Sequence, residues 1–311
     1  MEVIRMKMKK YKKISCFDLI NALIMLLIMF LSIYPMYYAI INSLSDGSDV
    51  MNHGMNLFWP RVFSFDNWAM VLSDTAVLSA LGITVSRTII VTVAQLFFTS
   101  MFAYAFSRSY LRGKRFYTIL GFMSMYISGG IVATFLLFSR MGLYNSYWVY
   151  IVPSLFGGFY NVIIYTSNYR GIPTELFESA KLDGAGDFYI YVHVVLPLSK
   201  AILAALSVFT IVGVWNDYST SLFYTSSDKL QTLQYYIVKI VRNEAAIEQL
   251  ISDASSVSDS VMDLFYTKQS AVTSATLELA AMVIAAIPMI IIYPFAQKFF
   301  AKGVLIGSIK G

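Results

Sequence analysis

Long apolar runs alternate with short polar segments along the chain. A helix needs about 20 apolar residues to cross a hydrocarbon core about 30 Å thick. Six runs meet this requirement, at residues 17–41, 78–106, 115–139, 147–169, 199–222 and 272–297. The pattern therefore predicts an all-α membrane protein with six transmembrane helices.

Composition supports the same class. Hydrophobic residues make up 58% of the 311 residues and charged residues only 13%, whereas soluble domains are about a quarter charged. The single cysteine, Cys16, excludes an internal disulfide, and two distant histidines disfavour a metal site. The net charge of +5 does not indicate a nucleic-acid partner, because most aromatic residues lie inside the apolar runs. We expect membrane lipid as the surroundings and no cofactor in this chain.

Lys and Arg concentrate in alternate connecting segments, which is typical of cytoplasmic loops. Sixteen of the 23 lie before the first run, after the second, after the fourth and after the sixth. We therefore predict a multi-pass plasma-membrane protein with both termini in the cytoplasm. Its parts are a basic tail 1–16, a six-span domain 17–297 and a tail 298–311. The predicted external segments are 42–77 and 223–271, with a helix near 230–251.

The cytoplasmic segment 170–198 is too long for a simple turn. Pro173 suits the start of a helix, the glycines of Gly184-Ala185-Gly186 can end it, and Asp187 can cap a second helix. We call this predicted helix–turn–helix the elbow. Its apolar residues either pack on their own bundle or are covered by a separate protein, and the spacing leaves both interpretations open.

Several motifs carry a family resemblance. Glu178-Ser179-Ala180, Asp183-Gly184-Ala185 and Leu196-Pro197 resemble the signature of permease subunits of ATP-binding-cassette (ABC) importers, with Ser179 in place of the usual alanine. Further matching stretches are 103–108, 215–218, 293–298 and 302–311. Together they are similar to the oligosaccharide branch, to its maltose-type second permeases and to polysaccharide permeases of Gram-positive bacteria. The resemblance covers about residues 17–311.

This resemblance implies a type I ABC importer permease fold and half of a path for an oligosaccharide. The implied partners are a second permease, two cytoplasmic ATPase subunits that bind ATP and Mg, and an extracellular lipid-anchored solute-binding protein. The chain itself would not be an enzyme, and the elbow would be the coupling helix that an ATPase moves. The candidate coupling residues are Leu176, Phe177, Glu178, Ala180, Lys181, Asp183, Gly184 and Ala185. Leu176 and Phe177 would supply apolar anchor area, Glu178 a polar contact and Gly184 the turn angle.

Ionisable residues inside spans usually face a cavity or a partner. Arg87 and Glu278 are expected to pair with each other or to reach the outer interface, in preference to contacting a sugar. Trp215, Asn216 and Asp217 form a second candidate. An indole beside an amide and a carboxylate can stack on and hydrogen-bond a sugar ring, but a structural role is an equal alternative.

Two glycine pairs interrupt the spans. Gly129-Gly130 and Gly157-Gly158 are either close-packing points or places where a helix bends, and we favour packing because small residues are common at helix contacts.

Two other functions compete with the permease. A membrane enzyme is disfavoured because the loop carboxylates have no nucleophile or metal ligands beside them. A self-sufficient secondary transporter or channel is possible with six spans, but we find neither an inverted repeat nor an ion-coupling constellation. The sequence has no Gly-x-x-x-x-Gly-Lys-Ser/Thr loop, so ATP hydrolysis is expected in a separate subunit.

Overall fold

The computed structural model describes residues 16–242 and 273–308, which are almost entirely helical. The helices are α1 (Cys16–Ser43), α2 (Gly47–His53), α3 (Asp66–Ser73), α4 (Thr75–Ser107), α5 (Lys114–Tyr126), α6 (Gly130–Arg140), α7 (Trp148–Ile151), α8 (Gly158–Arg170), α9 (Thr174–Leu182), α10 (Asp187–Ile190), α11 (Leu196–Leu198), α12 (Lys200–Asn216), α13 (Ser219–Tyr224), α14 (233–242) and α15 (Ser274–Ser308). A 3-10 turn at Val152–Ser154 extends α7, and a π-helical turn at Tyr191–Val195 joins α10 to α11.

Three candidate crossings are single helices, and up to three more are bent pairs. Helices α1, α4 and α15 are each long and apolar enough to cross a membrane. The pairs α5/α6, α7/α8 and α10–α11/α12 bend by 115°, 48° and 83°. The third pair begins at Asp187, inside the predicted cytoplasmic segment, and ends at Asn216, so it differs from the predicted crossing 199–222. The all-α membrane fold is confirmed, with up to six crossings in the described chain if each bent pair counts as one.

Helix α4 lies at the centre of the bundle and packs against α8 on one side and α12 on the other. Helix α15 packs against α1, α3 and α12. One core cluster fills the end of the bundle that carries α9, which we call the elbow end, and includes Tyr165, Tyr169 and Tyr191. A second cluster, around Trp215 and Leu233, fills the opposite end. The bundle thus has a packed core at both ends of α4.

Part of the predicted organisation falls on residues that are not described. Part of the helix expected near 230–251 is present as α14 over 233–242. The rest of that helix, most of the segment 223–271 and the tail 1–15 lie outside the described residues. At the other terminus, α15 continues past the predicted span end at 297 as far as Ser308.

The glycine pairs mark bends, so our preference for close packing was wrong at two positions. Gly130 and Gly158 have φ angles of +71° and +75°, and a Cβ added at either one would meet nothing within 4 Å. Such a φ is cheap only for glycine, which explains why the helices break there. Gly157 does pack closely, since its added Cβ would lie 2.7 Å from the Asn161 amide nitrogen.

Gly121 is the tightest glycine contact among the described residues. A Cβ at this position would overlap the Phe159 ring. We expect Gly121→Ala to separate α5 from α8 and to destabilise the protein by about 1–3 kcal/mol, the usual cost of overpacking. Gly82→Ala is the matched control, because its Cβ would enter open space on helix α4. Thermal unfolding of the purified protein checks this, and equal midpoints for the two variants would contradict it.

Candidate functional site

The elbow has a defined turn at the end of α9. The Gly184 N–H donates to the carbonyl oxygen of Lys181 (3.0 Å), and the Ala185 N–H donates to that of Ala180 (2.9 Å). These two bonds form a Schellman motif, which satisfies the last carbonyls of the helix and needs a left-handed residue at Gly184. Its φ of +81° meets that need. The chain then turns into α10.

The elbow is attached to the segment that follows α4. Phe177 is buried, and the guanidinium carbon of Arg108 lies 3.8 Å from its ring centroid. The Tyr110 hydroxyl donates to Asp187 (2.7 Å), and burial together with this bond raises the pKa of Tyr110. The Lys181 ammonium lies 3.6 Å from the same carboxylate and 4.5 Å from the Tyr110 ring centroid. Both helices of the elbow therefore contact the 108–113 segment.

The exposed face of the elbow differs from the one that we predicted. Phe177 is only 6% exposed, so it cannot supply the apolar anchor area predicted for it. Leu176 is 43% exposed and Leu182 is 89% exposed, and Glu178 and Asp183 are exposed as well. Sequence analysis missed Leu182, although a leucine just before a glycine turn could have drawn attention to it.

A shallow groove runs beside the turn. It has a volume of about 420 Å³ and lies between the end of α9 and the start of α10. Its lining residues are Ala180, Asp183, Gly184, Ala185, Gly186 and Tyr189. Four of these six were predicted as coupling residues, and the structure places them on one surface. Together with Leu176 and Leu182 they offer an outside protein a mixed apolar and acidic surface.

At the opposite end of the bundle, Arg87 of α4 is buried, with 2% of its side chain exposed. It donates to Asp217 Oδ2 (3.2 Å) and to the carbonyl oxygens of Val214 and Asp217. Its guanidinium carbon lies 4.9 Å from the Tyr150 ring centroid. The pairing of Arg87 with Glu278 was therefore wrong, and so was a position of Arg87 at the outer interface, since Arg87 is buried and Asp217 is its partner.

The three residues proposed for a sugar path lie in different surroundings. Trp215 is buried, and its indole N–H donates to the carbonyl oxygen of Ala285 (3.1 Å). Asp217 is 28% exposed and accepts from the Ser219 hydroxyl (2.7 Å) as well as from Arg87. Asn216 is exposed and lines a groove of about 290 Å³ with Gln234. In this structure, Asn216 is therefore the most accessible of the three.

The apolar helices of the bundle, with α4 at its centre and an exposed elbow at one end, have the fold of an ABC importer permease. The chain belongs to the family described as binding-protein-dependent transport system inner membrane component, whose model matches residues 95–306. It is the membrane component of such a system, and ATP hydrolysis takes place in a separate subunit. It has no cofactor of its own, and in residues 16–242 and 273–308 no group of three His, Cys, Asp or Glu could hold a metal ion.

Relatives extend over nearly the whole chain. Protein LplC of Bacillus subtilis is 33% identical over 95% of both chains. The polygalacturonan/rhamnogalacturonan transport system permease protein YtcP of the same species is 32% identical over 95% of this chain and 98% of its own. A crystal structure of a bacterial ABC transporter involved in the import of the acidic polysaccharide alginate matches with a TM-score of 0.81 and 25% identity. That match covers 93% of this chain and 99% of the other. None of these matches supports a self-sufficient transporter.

Proposed function

We propose that this chain is one of two permease subunits of an ATP-driven oligosaccharide importer in the plasma membrane. Both termini face the cytoplasm, and the chain forms half of the translocation path. Two ATPase subunits bind ATP and Mg, one of them contacts the elbow, and a lipid-anchored binding protein delivers sugar from outside. The family description includes a binding protein, and the sugar polymers named for YtcP and for the alginate importer support this class of substrate.

The elbow is the observation that carries the proposal. It joins an exposed apolar surface, with Leu182 89% exposed, to a buried contact between Phe177 and Arg108. Exposed leucines beside a rigid turn are typical of a surface that a partner covers. Because Arg108 directly follows α4, a force on the elbow passes into the central helix of the bundle. This arrangement suits coupling between ATPase closure and alternating access.

This chain has an apolar surface that suits contact with the second permease. No residue in the most apolar 18-residue stretch of α1 is buried within the chain. A wholly apolar groove of about 420 Å³ also opens between α4, α12 and α15, lined by residues such as Ile89, Ile211 and Pro288. Membrane helices associate through packing. We assign the groove to the contact with the second permease.

Reconstitution tests the function directly. The chain is purified with and without its second permease, ATPase and binding protein, and uptake of labelled galacturonan or alginate oligosaccharides into vesicles is measured. We expect ATP-dependent uptake only from the complete assembly. Uptake by the chain alone, with no ATPase bound, would support the rival secondary transporter and overturn the proposal.

Asn216 provides a test of the sugar path. We expect Asn216→Ala to raise the apparent KM for the oligosaccharide about threefold to tenfold, the effect of losing one or two neutral hydrogen bonds. Assembly with the ATPase should not change, because Asn216 is exposed and lies far from the elbow. Asn168→Ala, which removes an exposed amide at the elbow end of α8, is the matched control. An unchanged KM in Asn216→Ala would remove this residue from the path.

A further inference from the structure

A groove between α5 and α8 is lined by none of the residues proposed for coupling or for the sugar path. Its volume is about 420 Å³, and we call it the interfacial groove. Phe122, Phe159 and Ile163 form its apolar part, while Lys114 and Arg170 are its cationic residues. Lys114 is the first residue of α5 and Arg170 the last of α8, so both cations lie at the elbow end. The groove is therefore positive at one end and apolar towards the other.

The two cations have spare capacity for an anion. The Lys114 ammonium donates to the carbonyl oxygen of Arg108 (3.3 Å) and lies 5.6 Å from the Phe106 ring centroid. An ammonium has three donors, so this single bond leaves capacity for others. The Arg170 side chain is exposed. Among the described residues, no carboxylate forms an ion pair with Lys114 or Arg170.

Neighbouring residues add positive charge at the elbow end of the interfacial groove. Arg108, Arg112 and Arg115 lie in or beside the short segment between α4 and α5. The Arg108 guanidinium lies on the ring of Phe177, and none of the three is ion-paired with a carboxylate in the part of the chain that the structure describes. Uncompensated positive charge next to an apolar groove favours an anionic amphiphile over a neutral one.

The dimensions fit a lipid. Phe122 follows Lys114 by eight positions of α5, which corresponds to about 12 Å of helix, and Arg170 follows Phe159 by eleven positions of α8, which corresponds to about 17 Å. Half of a hydrocarbon core is about 15 Å thick. The cations thus lie near the membrane surface while the aromatic rings lie near its middle.

We propose that the interfacial groove binds one anionic glycerophospholipid of the cytoplasmic leaflet, in the orientation proposed above. Lys114 and Arg170 bind the phosphate, and the Ser167 hydroxyl on the groove wall donates to the head group. One acyl chain lies against Phe122, Phe159 and Ile163. Basic pockets between transmembrane helices on the cytoplasmic side are a known setting for anionic head groups. The lipid fills the gap between α5 and α8.

Photolabelling of the assembled transporter tests the proposal. The complex is placed in phosphatidylcholine vesicles that contain a phosphatidylglycerol probe with a photoreactive acyl chain, and labelled peptides are mapped. We expect labelling around Phe122 and Phe159, reduced by excess phosphatidylglycerol but not by phosphatidylcholine or inorganic phosphate. Competition by phosphatidylcholine would overturn the charge selectivity, and competition by inorganic phosphate would indicate a simple anion site.

Two variants test separately the contacts of the lipid head group and those of its acyl chain. Lys114→Gln combined with Arg170→Gln should reduce labelling about 30-fold, the loss expected for two cations near an anionic surface. Ile163→Trp should also reduce it by filling the groove while keeping both cations. Arg140→Gln, at the far end of α6, is the control and should label normally. Unchanged labelling in both test variants, or a crosslinked ATPase covering the groove, would overturn the proposal.

Discussion

Replacing Gly184 with valine is expected to uncouple sugar transport from ATP hydrolysis while the permease still reaches the membrane. The turn at Gly184 has a φ of +81°, where a β-branched residue is strained by about 1–3 kcal/mol. An added Cβ would meet nothing within 4 Å, so the strain comes from the backbone alone. Relief of that strain changes the angle between α9 and α10. We expect at least a tenfold fall in uptake per ATP hydrolysed by the reconstituted assembly.

Gly186 provides the matched control for this experiment. It lies two residues further along and also has open space around its Cβ position, but its φ is −72°, which any residue can adopt. Gly186→Val should therefore keep most of the coupling. If Gly184→Val transports at the normal rate, or if both variants fail equally, the turn angle is not what couples the elbow to transport.

Replacing Arg87 with methionine is expected to give the largest loss of stability. Arg87 is 2% exposed and bonded to Asp217 and to two carbonyl oxygens, so its removal leaves the Asp217 carboxylate without its cation and with bonds only from Ser219 and Thr220. Breaking a buried ion pair costs about 3–5 kcal/mol. Helices α4 and α12 lose a shared contact at the same time. We expect a large fall in the thermal unfolding midpoint of the purified permease.

A double variant distinguishes the effect of the charges on stability from the effect of the other contacts of Arg87. Arg87→Met combined with Asp217→Asn removes both charges and should regain much of the midpoint lost in Arg87→Met. Arg61→Met breaks an exposed pair with Asp49 at 2.8 Å and should change little. No recovery in the double variant would mean that Arg87 stabilises the bundle mainly through its carbonyl contacts.

Most of the architecture follows from the lengths of the apolar runs. The runs 17–41 and 78–106 correspond to α1 (Cys16–Ser43) and α4 (Thr75–Ser107), because hydrocarbon thickness sets the length of a crossing. The bends were harder to predict. Gly130 illustrates why, since a glycine in a span suits both a close helix contact and a left-handed break.

The helix and turn of the elbow were predictable from the sequence, but its contacts with distant residues were not. Local signals such as Pro173 and Gly184 specify a helix that ends in a turn, and both act on their immediate neighbours. The burial of Phe177 depends on Arg108, which is far away in sequence. The pairing of Arg87 with Asp217 likewise joins residues 130 positions apart. A single sequence carries no direct signal of such distant contacts.

Site-specific crosslinking tests whether a separate ATPase contacts the elbow. The native Cys16 is replaced by serine, and single cysteines are introduced as Leu176→Cys and Leu182→Cys at exposed positions of α9. Leu57→Cys, an exposed leucine near the opposite end of the bundle, is the control. We expect ATP-sensitive crosslinks from both elbow positions to the ATPase and none from the control. An active transporter in which neither elbow cysteine reaches the ATPase would contradict it.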